Sequence, residues 1–310
     1  MARINLNTKS NGSCLKQCNK ELRQTNTEND LCTKLNSIDD NLAVRCVGEW
    51  AEQKIYFLYQ YFGIFSEGMK NKWKNNINYV EICSGPGRCI NRKNGDELDG
   101  TALSILKHKS FVNINKAFFF DFNETVVDVL NQRIKNIGIT NAKALVADYY
   151  NADDLCSKIY AEISNTSLNL VFIDPTDCSV PFQLIQKIKN TLPNVDFIIN
   201  VATGTDFNRN IPMAFQDKER AKKYITFLGD DSFFVDSNNK TLCKNKEYEK
   251  LRECFRTSYQ SSLQRIGFNY FDIQLIEHYY DILFAASHSR AMDFWKKATK
   301  IKHDGQKELF

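Results

Sequence analysis

No stretch of this 310-residue chain approaches the ~18 uninterrupted apolar residues that a membrane-spanning helix needs. The amino end, Met1-Ala2-Arg3-Ile4-Asn5-Leu6-Asn7, likewise lacks the apolar core of a secretory signal. Together these absences set the expectation of a cytoplasmic protein with no membrane partner. Charge of one sign is scarce as well. Lys plus Arg number 41 against 37 Asp plus Glu, a formal +4, which is too little to argue for nucleic acid by itself and leaves the partner open. The four histidines, at 108, 278, 288 and 303, match no motif, so no Cys–His arrangement for nucleophilic catalysis is visible. Internal repeats and low-complexity linkers are missing too, which leaves one α/β core with appended segments as the reading that fits the length.

Thiols, by contrast, are plentiful. In a reducing compartment ten cysteines read as buried thiols, metal ligands or redox groups rather than as a disulfide scaffold. Cys14, Cys18, Cys32 and Cys46 precede the core and suffice in number for a tetrahedral structural zinc. Their spacing is poor for one, because thirteen residues separate the second pair where two to four are usual. Cys83 and Cys89 flank a glycine loop and read as small packing residues, and Cys156, Cys178, Cys243 and Cys254 as ordinary helix or loop thiols.

Along the chain, residues 1–46 are polar and Asn-rich and read as an irregular, cysteine-bearing extension. From 47 to 69 the order Trp50, Lys54, Phe57, Leu58, Tyr61 and Phe65 repeats at three to four residues, a helix with one broad aromatic face. After it, β-rich runs alternate with helical patterns, as a parallel sheet requires. The expected strands are 78–83, 116–121, 144–148, 169–174 and 196–201, and the expected helices 101–107, 124–136, 153–163 and 181–192. Residues 204–262 read as a helical insertion, helical at 218–227 and 247–262. Two strand-like runs, 269–277 and 280–287, then lie about two residues apart, which demands a hairpin and therefore an antiparallel pair. The expectation is an α/β fold, doubly wound, with a mostly parallel seven-stranded sheet and a C-terminal antiparallel hairpin. It occupies residues 47–297 and is followed by a tail at 298–310.

Within it, Asn78-Tyr79-Val80-Glu81-Ile82-Cys83-Ser84-Gly85-Pro86-Gly87-Arg88 is an apolar strand running into a glycine loop. Glycines let backbone N–H groups approach a ligand, and a following helix N-terminus favours an anionic group there. The acid-x-x-x-Gly-x-Gly spacing resembles that of S-adenosylmethionine (SAM) methyltransferases more than that of dinucleotide enzymes, and a sheet closed by one antiparallel strand resembles the arrangement of class I, Rossmann-like methyltransferases.

Ligands of such folds bind at the carboxyl ends of strands, where four acids fall. Glu81 would meet the amino acid part of SAM through a water or orient the loop of Ser84, Gly85 and Gly87. Asp121 would accept from the ribose hydroxyls, Asp148 would read the adenine amine, and Asp174 would face the transferred methyl. Each of these acids alone also fits a helix cap or a solvated turn. Asp174-Pro175-Thr176-Asp177 matches only the Asp-Pro of the Asp/Asn-Pro-Pro-aromatic motif of amino methyltransferases, in which an acid and a backbone carbonyl accept hydrogen bonds from an exocyclic amine. A turn-forming Asp-Pro is the plain alternative. With Asp177 in place of the aromatic, Phe182 would have to stack on a base, and Asp174 or Asp177 would serve as the base for a protonated acceptor.

The chain resembles the three-Cys-motif partner (TcmP) family. The resemblance rests on Arg45-Cys46-Val47-Gly48-Glu49-Trp50-Ala51-Glu52-Gln53-Lys54, on Glu81 to Cys89, on Phe172-Ile173-Asp174-Pro175-Thr176, and on Leu283-Phe284-Ala285-Ala286-Ser287 with Phe294-Trp295. It implies a SAM-binding fold, methyltransferase activity with no substrate to carry over, and a partner that is a three-Cys-motif protein resembling radical-SAM enzymes. One departure stands out: the first glycine of the general methyltransferase loop is Cys83 here. Nucleic acid, protein and small-molecule acceptors all stay open, a nucleobase amine in RNA or DNA among them. The alternatives are a binding module that docks a partner through the 47–69 helix and the insertion, and a structural zinc protein.

Overall fold

The structure, a computed structural model, describes residues 9–10, 31–32, 35–74, 76–276 and 279–300. Two compact units divide the chain, one running to Ala147 and resuming at Lys296, the other Asp148–Trp295. The fold is α/β, with a seven-stranded, mostly parallel sheet that ends in an antiparallel hairpin.

In the first unit, strand β3 (Ile77–Ile82) pairs in parallel with β6 (Lys116–Asp121), and β6 with β7 (Ala142–Val146). Every residue of β3 is buried, as a continuous apolar run between covered faces requires. Helix α1 (Trp50–Trp73) buries Ile55, Phe57, Leu58, Tyr61, Phe62 and Phe65, so the aromatic face belongs to the core. Phe62 meets Tyr79 of β3 edge-on, with ring centroids 5.7 Å apart. Burying each such ring contributes roughly 2 kcal/mol. Helix α3 (Glu124–Asn136) starts where the side chain of Asn123 accepts from the Val126 N–H, and Gly138, at φ 72°, follows its end.

One part of this unit departs from expectation. Between the glycine loop and α2 (Thr101–Leu106), β4 (Arg88–Asn91) and β5 (Asp96–Asp99) form a hairpin. With β1 (Lys9–Ser10) and β2 (Arg45–Val47) they make a second sheet, ordered β1-β5-β4-β2. Strands of two to four residues are too short to show alternation in sequence. The hairpin does not separate loop from helix in space, because the Gly100 N–H donates to the Gly87 carbonyl at 2.7 Å.

In the second unit β8 (Leu168–Ile173) pairs in parallel with β9 (Val195–Val201). Strand β11 (Tyr280–Ala286) runs antiparallel to β9 and to β10 (Tyr270–Ile276). Helices α4 (Ala152–Tyr160) and α5 (Phe182–Thr191) accompany the parallel strands. A helical run follows β9: a π-turn at Thr203–Phe207, then α6 (Asn208–Ala214), α7 (Lys218–Leu228), α8 (Ser232–Val235), α9 (Ser237–Lys244) and α10 (Tyr248–Arg265). Phe227 and Phe255 stack at 5.9 Å within its core, and Phe207 lies 4.6 Å from Phe255. Helix α11 (Ser289–Thr299) sets Trp295 on Phe284 at 4.7 Å, its indole N–H donating to Asp272. Among the described residues no helix is long and apolar enough to cross a membrane.

Candidate functional site

The loop after β3 turns through left-handed backbone three times in five residues: Cys83 at φ 67°, Gly85 at 64° and Gly87 at 91°. Glycine takes such angles freely, whereas the Cβ of Cys83 costs roughly 1–2 kcal/mol there. Neighbouring β6 braces the turn. The Ser84 N–H donates to the Phe120 carbonyl and the Gly85 N–H to Asp121 Oδ2, both at 3.0 Å. Asp121 Oδ1 accepts from the Asn123 N–H at 3.2 Å. Only 3% of Asp121 is exposed, and a carboxylate has about four acceptor sites, so two bonds leave capacity for two hydroxyl donors. Glu81 is fully buried, accepting from Tyr79 Oη at 2.7 Å and from Thr101 Oγ1, and so ties the strand to the start of α2.

Two arginines hold the loop from outside. Arg133 donates through Nη1 to the carbonyls of Pro86 at 2.6 Å and Ala43 at 2.8 Å, and grips Asp40 through Nε and Nη2 at 2.8 and 3.0 Å. Arg88 pairs with Asp39 at 2.5 Å and lies 3.4 Å from both Glu97 and Asp99. Consecutive aspartates therefore anchor the arginines that secure the loop. The sequence carries no signal for this, since Asp40 and Arg133 lie 93 positions apart.

Glu81, Ser84, Gly85, Gly87 and Asp121 thus share one place in the first unit. Asp148, the first residue of the second unit, lies two residues beyond β7 and is exposed, its Oδ1 accepting from the Tyr150 N–H at 2.9 Å.

In the second unit Asp174 directly follows β8 and is half-buried. Pairing of Ile173 with Ile199 sets the next residue of β9, Asn200, beside it. Asn200 Nδ2 donates to Asp174 Oδ1 at 2.9 Å and to the Pro175 carbonyl at 3.2 Å. Asn200 is 1% exposed, and its Oδ1 has no hydrogen-bond partner among the described residues. Asp177, half-buried, sits 3.4 Å from Lys223 Nζ, which reaches both oxygens of Asp206 at 2.7 Å. Asp206 also accepts from the Cys178 N–H at 3.0 Å and from Asn210 Nδ2 at 2.7 Å. Burial works against the Lys223 charge, but the hydrogen bonds and charge of Asp206, with Asp177 beyond, hold the ammonium above its ordinary range. Burial pushes the enclosed Cys178 thiol well up. Burial and then the charge of Asp177 raise the phenol of Tyr150, a residue 60% exposed.

Phe182, expected to stack on a base, is 6% exposed and packs edge-on to Tyr259 at 6.3 Å, with Gly229 against its ring. The position at the start of α5 turns this ring into the core, where the apolar helix face must go. Of the four thiols weighed for zinc, Cys14 and Cys18 lie outside the described residues, and Cys32 and Cys46 are half-buried. Among the described residues no group of three or more His, Cys, Asp or Glu gathers as a metal site.

No protein-family model matches the chain, and no curated protein does. Solved structures similar to it include a SAM-dependent methyltransferase from Aquifex aeolicus, at 13% identity over 72% of this chain and 89% of that one, with a TM-score of 0.38. TrmK of M. capricolum, in complex with its cofactor product S-adenosylhomocysteine (SAH), is 11% identical over 72% of this chain and 68% of that one, TM-score 0.34. TYW2 of M. jannaschii, in complex with AdoMet, is 8% identical over 67% of each chain, TM-score 0.32. The likeness is one of fold.

Proposed function

We propose that this chain is a SAM-dependent methyltransferase, with the cofactor held by the loop Cys83–Gly87 and Asp121. The observation that carries the reading is the thrice left-handed loop whose Gly85 amide is fastened to a carboxylate at the end of the adjacent strand. This arrangement sets a tight glycine turn and a charged acceptor at one strand end, the place where α/β folds bind nucleotide-like ligands. The residues fit SAM by their chemistry. Asp121 keeps acceptor capacity for a ribose diol, and the glycines at 85 and 87 allow close approach. SAM, when bound, supplies an electrophilic methyl group on a sulfonium.

For a methyl acceptor that carries a proton, Asp174 is the group assigned to accept it, with Asp177 the second candidate. Lys223 Nζ, 3.4 Å away, already engages Asp177. Asp148 and Glu81 keep the roles of adenine reader and loop support. Membership of the TcmP family, with a three-Cys-motif protein as partner, and an amine on a nucleobase as acceptor belong to the same proposal.

Calorimetric titration with SAM and with SAH, repeated on Asp121→Ala and Asp121→Asn, tests it. Wild type is expected to bind in the micromolar range. Asp121→Ala should bind at least about tenfold more weakly, as loss of charged hydrogen bonds implies, and Asp121→Asn should fall between. Absence of heat from wild type refutes the cofactor, and unchanged affinity in Asp121→Ala refutes the carboxylate's role.

A further inference from the structure

A helix directly behind the glycine loop would offer its N-terminus to an anionic group. The structure puts a strand there instead: β4 starts at Arg88, the residue after Gly87. Helix α2 comes only after the β4–β5 hairpin, and its first turn is already committed. The Gly100 N–H is spent on the Gly87 carbonyl, and the carboxyl group of buried Glu81 accepts from Thr101 Oγ1. With 6 residues α2 also has a short dipole. An anionic group at this loop therefore needs another source of positive charge.

The hairpin that displaces the helix supplies one. Strand β2 pairs with β4 in parallel, which sets Arg45 opposite Cys89. The chain is fixed on both sides of Arg45. Before it, Arg133 holds Asp40 and the Ala43 carbonyl; after it, the Arg92 N–H donates to the Val47 carbonyl at 2.8 Å. From this position Arg45, half-buried, lays its guanidinium against the glycine turn. A Cβ built on Gly85 would lie 3.2 Å from Nη1, 3.5 Å from Cζ and 3.8 Å from Nε of Arg45. Gly85 thus touches a cation with its Cα while its N–H is bonded to Asp121.

We infer that Arg45 binds the carboxylate of the cofactor's methionine part, so that a guanidinium from upstream of α1 serves where a helix N-terminus was expected. The inference rests on the methyltransferase reading and adds a residue to its cofactor site. SAM carries one negatively charged group, its α-carboxylate, and a guanidinium meets a carboxylate with two parallel donors. Asp121 then takes the ribose and Arg45 the amino acid end, with Gly85 in contact with both.

The test compares two ligands that differ by this carboxylate alone, SAM and decarboxylated SAM. Each is titrated by calorimetry into wild type, Arg45→Gln and Arg45→Lys. Wild type is expected to prefer SAM by at least about tenfold, as a charged hydrogen-bonded pair implies. Arg45→Gln should bind SAM about tenfold more weakly than wild type does, and decarboxylated SAM equally well or better, since a repelling cation is gone. A merely structural Arg45 would weaken both ligands alike, and that result overturns the inference. Should Arg45→Gln not fold, Arg45→Lys decides. It keeps the charge but gives up the paired donors, so its preference for SAM should fall below that of wild type, and an unchanged preference overturns the proposal. Equal binding of both ligands by wild type overturns the role of Arg45 and leaves the methyltransferase reading intact. Silence of wild type towards both ligands removes that reading and the inference together.

Discussion

At the scale of single residues, the loop shows how backbone angle and packing together restrict identity. Gly87 stands at φ 91°, and a Cβ added there would lie 3.0 Å from both Leu103 Cγ and Leu130 Cδ1. Conformation and space therefore act in the same direction, and Gly87→Ala should lose about 2 kcal/mol in urea denaturation, with no such loss for Gly138→Ala beyond its backbone strain. Open space surrounds Gly138, so the difference between the two variants isolates the packing part. Glycine spacing and the strand before it made this loop legible from sequence, as they did Asp121, the last residue of an unbroken apolar run. What Asn200 and Arg133 bond to was not legible. Their partners come from register and from distant loops, and nothing in a linear pattern specifies that Asn200 lies beside Asp174 or that Arg133 reaches Pro86.

At the scale of elements, the contact between α1 and the short 3-10 helix Lys109–Asn113 carries a titratable group in its core. His108 caps that helix, its Nδ1 accepting from the Ser110 N–H at 3.0 Å, and is 7% exposed beneath Tyr59 and Phe62, whose rings lie 4.2 and 5.3 Å away. Burial, aided by Lys109 and opposed by Glu67, lowers its pKa from 6.5 to about 4. A protonated ring could neither keep the cap nor stay dry. The unfolded chain therefore binds a proton at higher pH than the folded one does. Stability is full above pH 6.5 and falls as pH drops from 6.5 towards 4, by an amount on the order of 3 kcal/mol. Urea midpoints measured from pH 7 to 4 should show this slope, and His108→Asn, which retains a capping acceptor, should flatten it. Glu67, lowered to about 2 chiefly by its hydrogen bond to Lys70, acts in a separate window below 4.5. Elements of this kind also mark where sequence reading stopped. The unbroken apolar run 116–121 and the periodic helix 124–136 were placed to the residue, because the first is buried on both faces and the second turns one apolar face to the core. The β4–β5 hairpin, the π-turn and α8 are too short to repeat a period even twice, so tertiary contacts alone define them.

At the scale of the whole molecule, the question is which part of the chain a ligand stabilises. The proposed cofactor contacts lie in the first unit, at Ser84, Gly85, Gly87 and Asp121, whereas Asp174 and Asn200 belong to the second. A ligand that binds only the folded state adds about 2.7 kcal/mol at a concentration of one hundred times its Kd. For a chain of this size that corresponds to a rise of about 5 °C in melting temperature. Scanning calorimetry with SAH at that ratio should show the rise, and Asp121→Ala, at the same SAH concentration, should cut it to about half or less while keeping a cooperative melt. If the chain melts in two transitions, the shift belongs to the one that includes the glycine loop. It can be assigned by Gly87→Ala, which lowers that transition alone. An equal shift in Asp121→Ala would move the cofactor away from the loop, and a shift confined to the other transition would place it on the side of Asp148 and Asp174 instead.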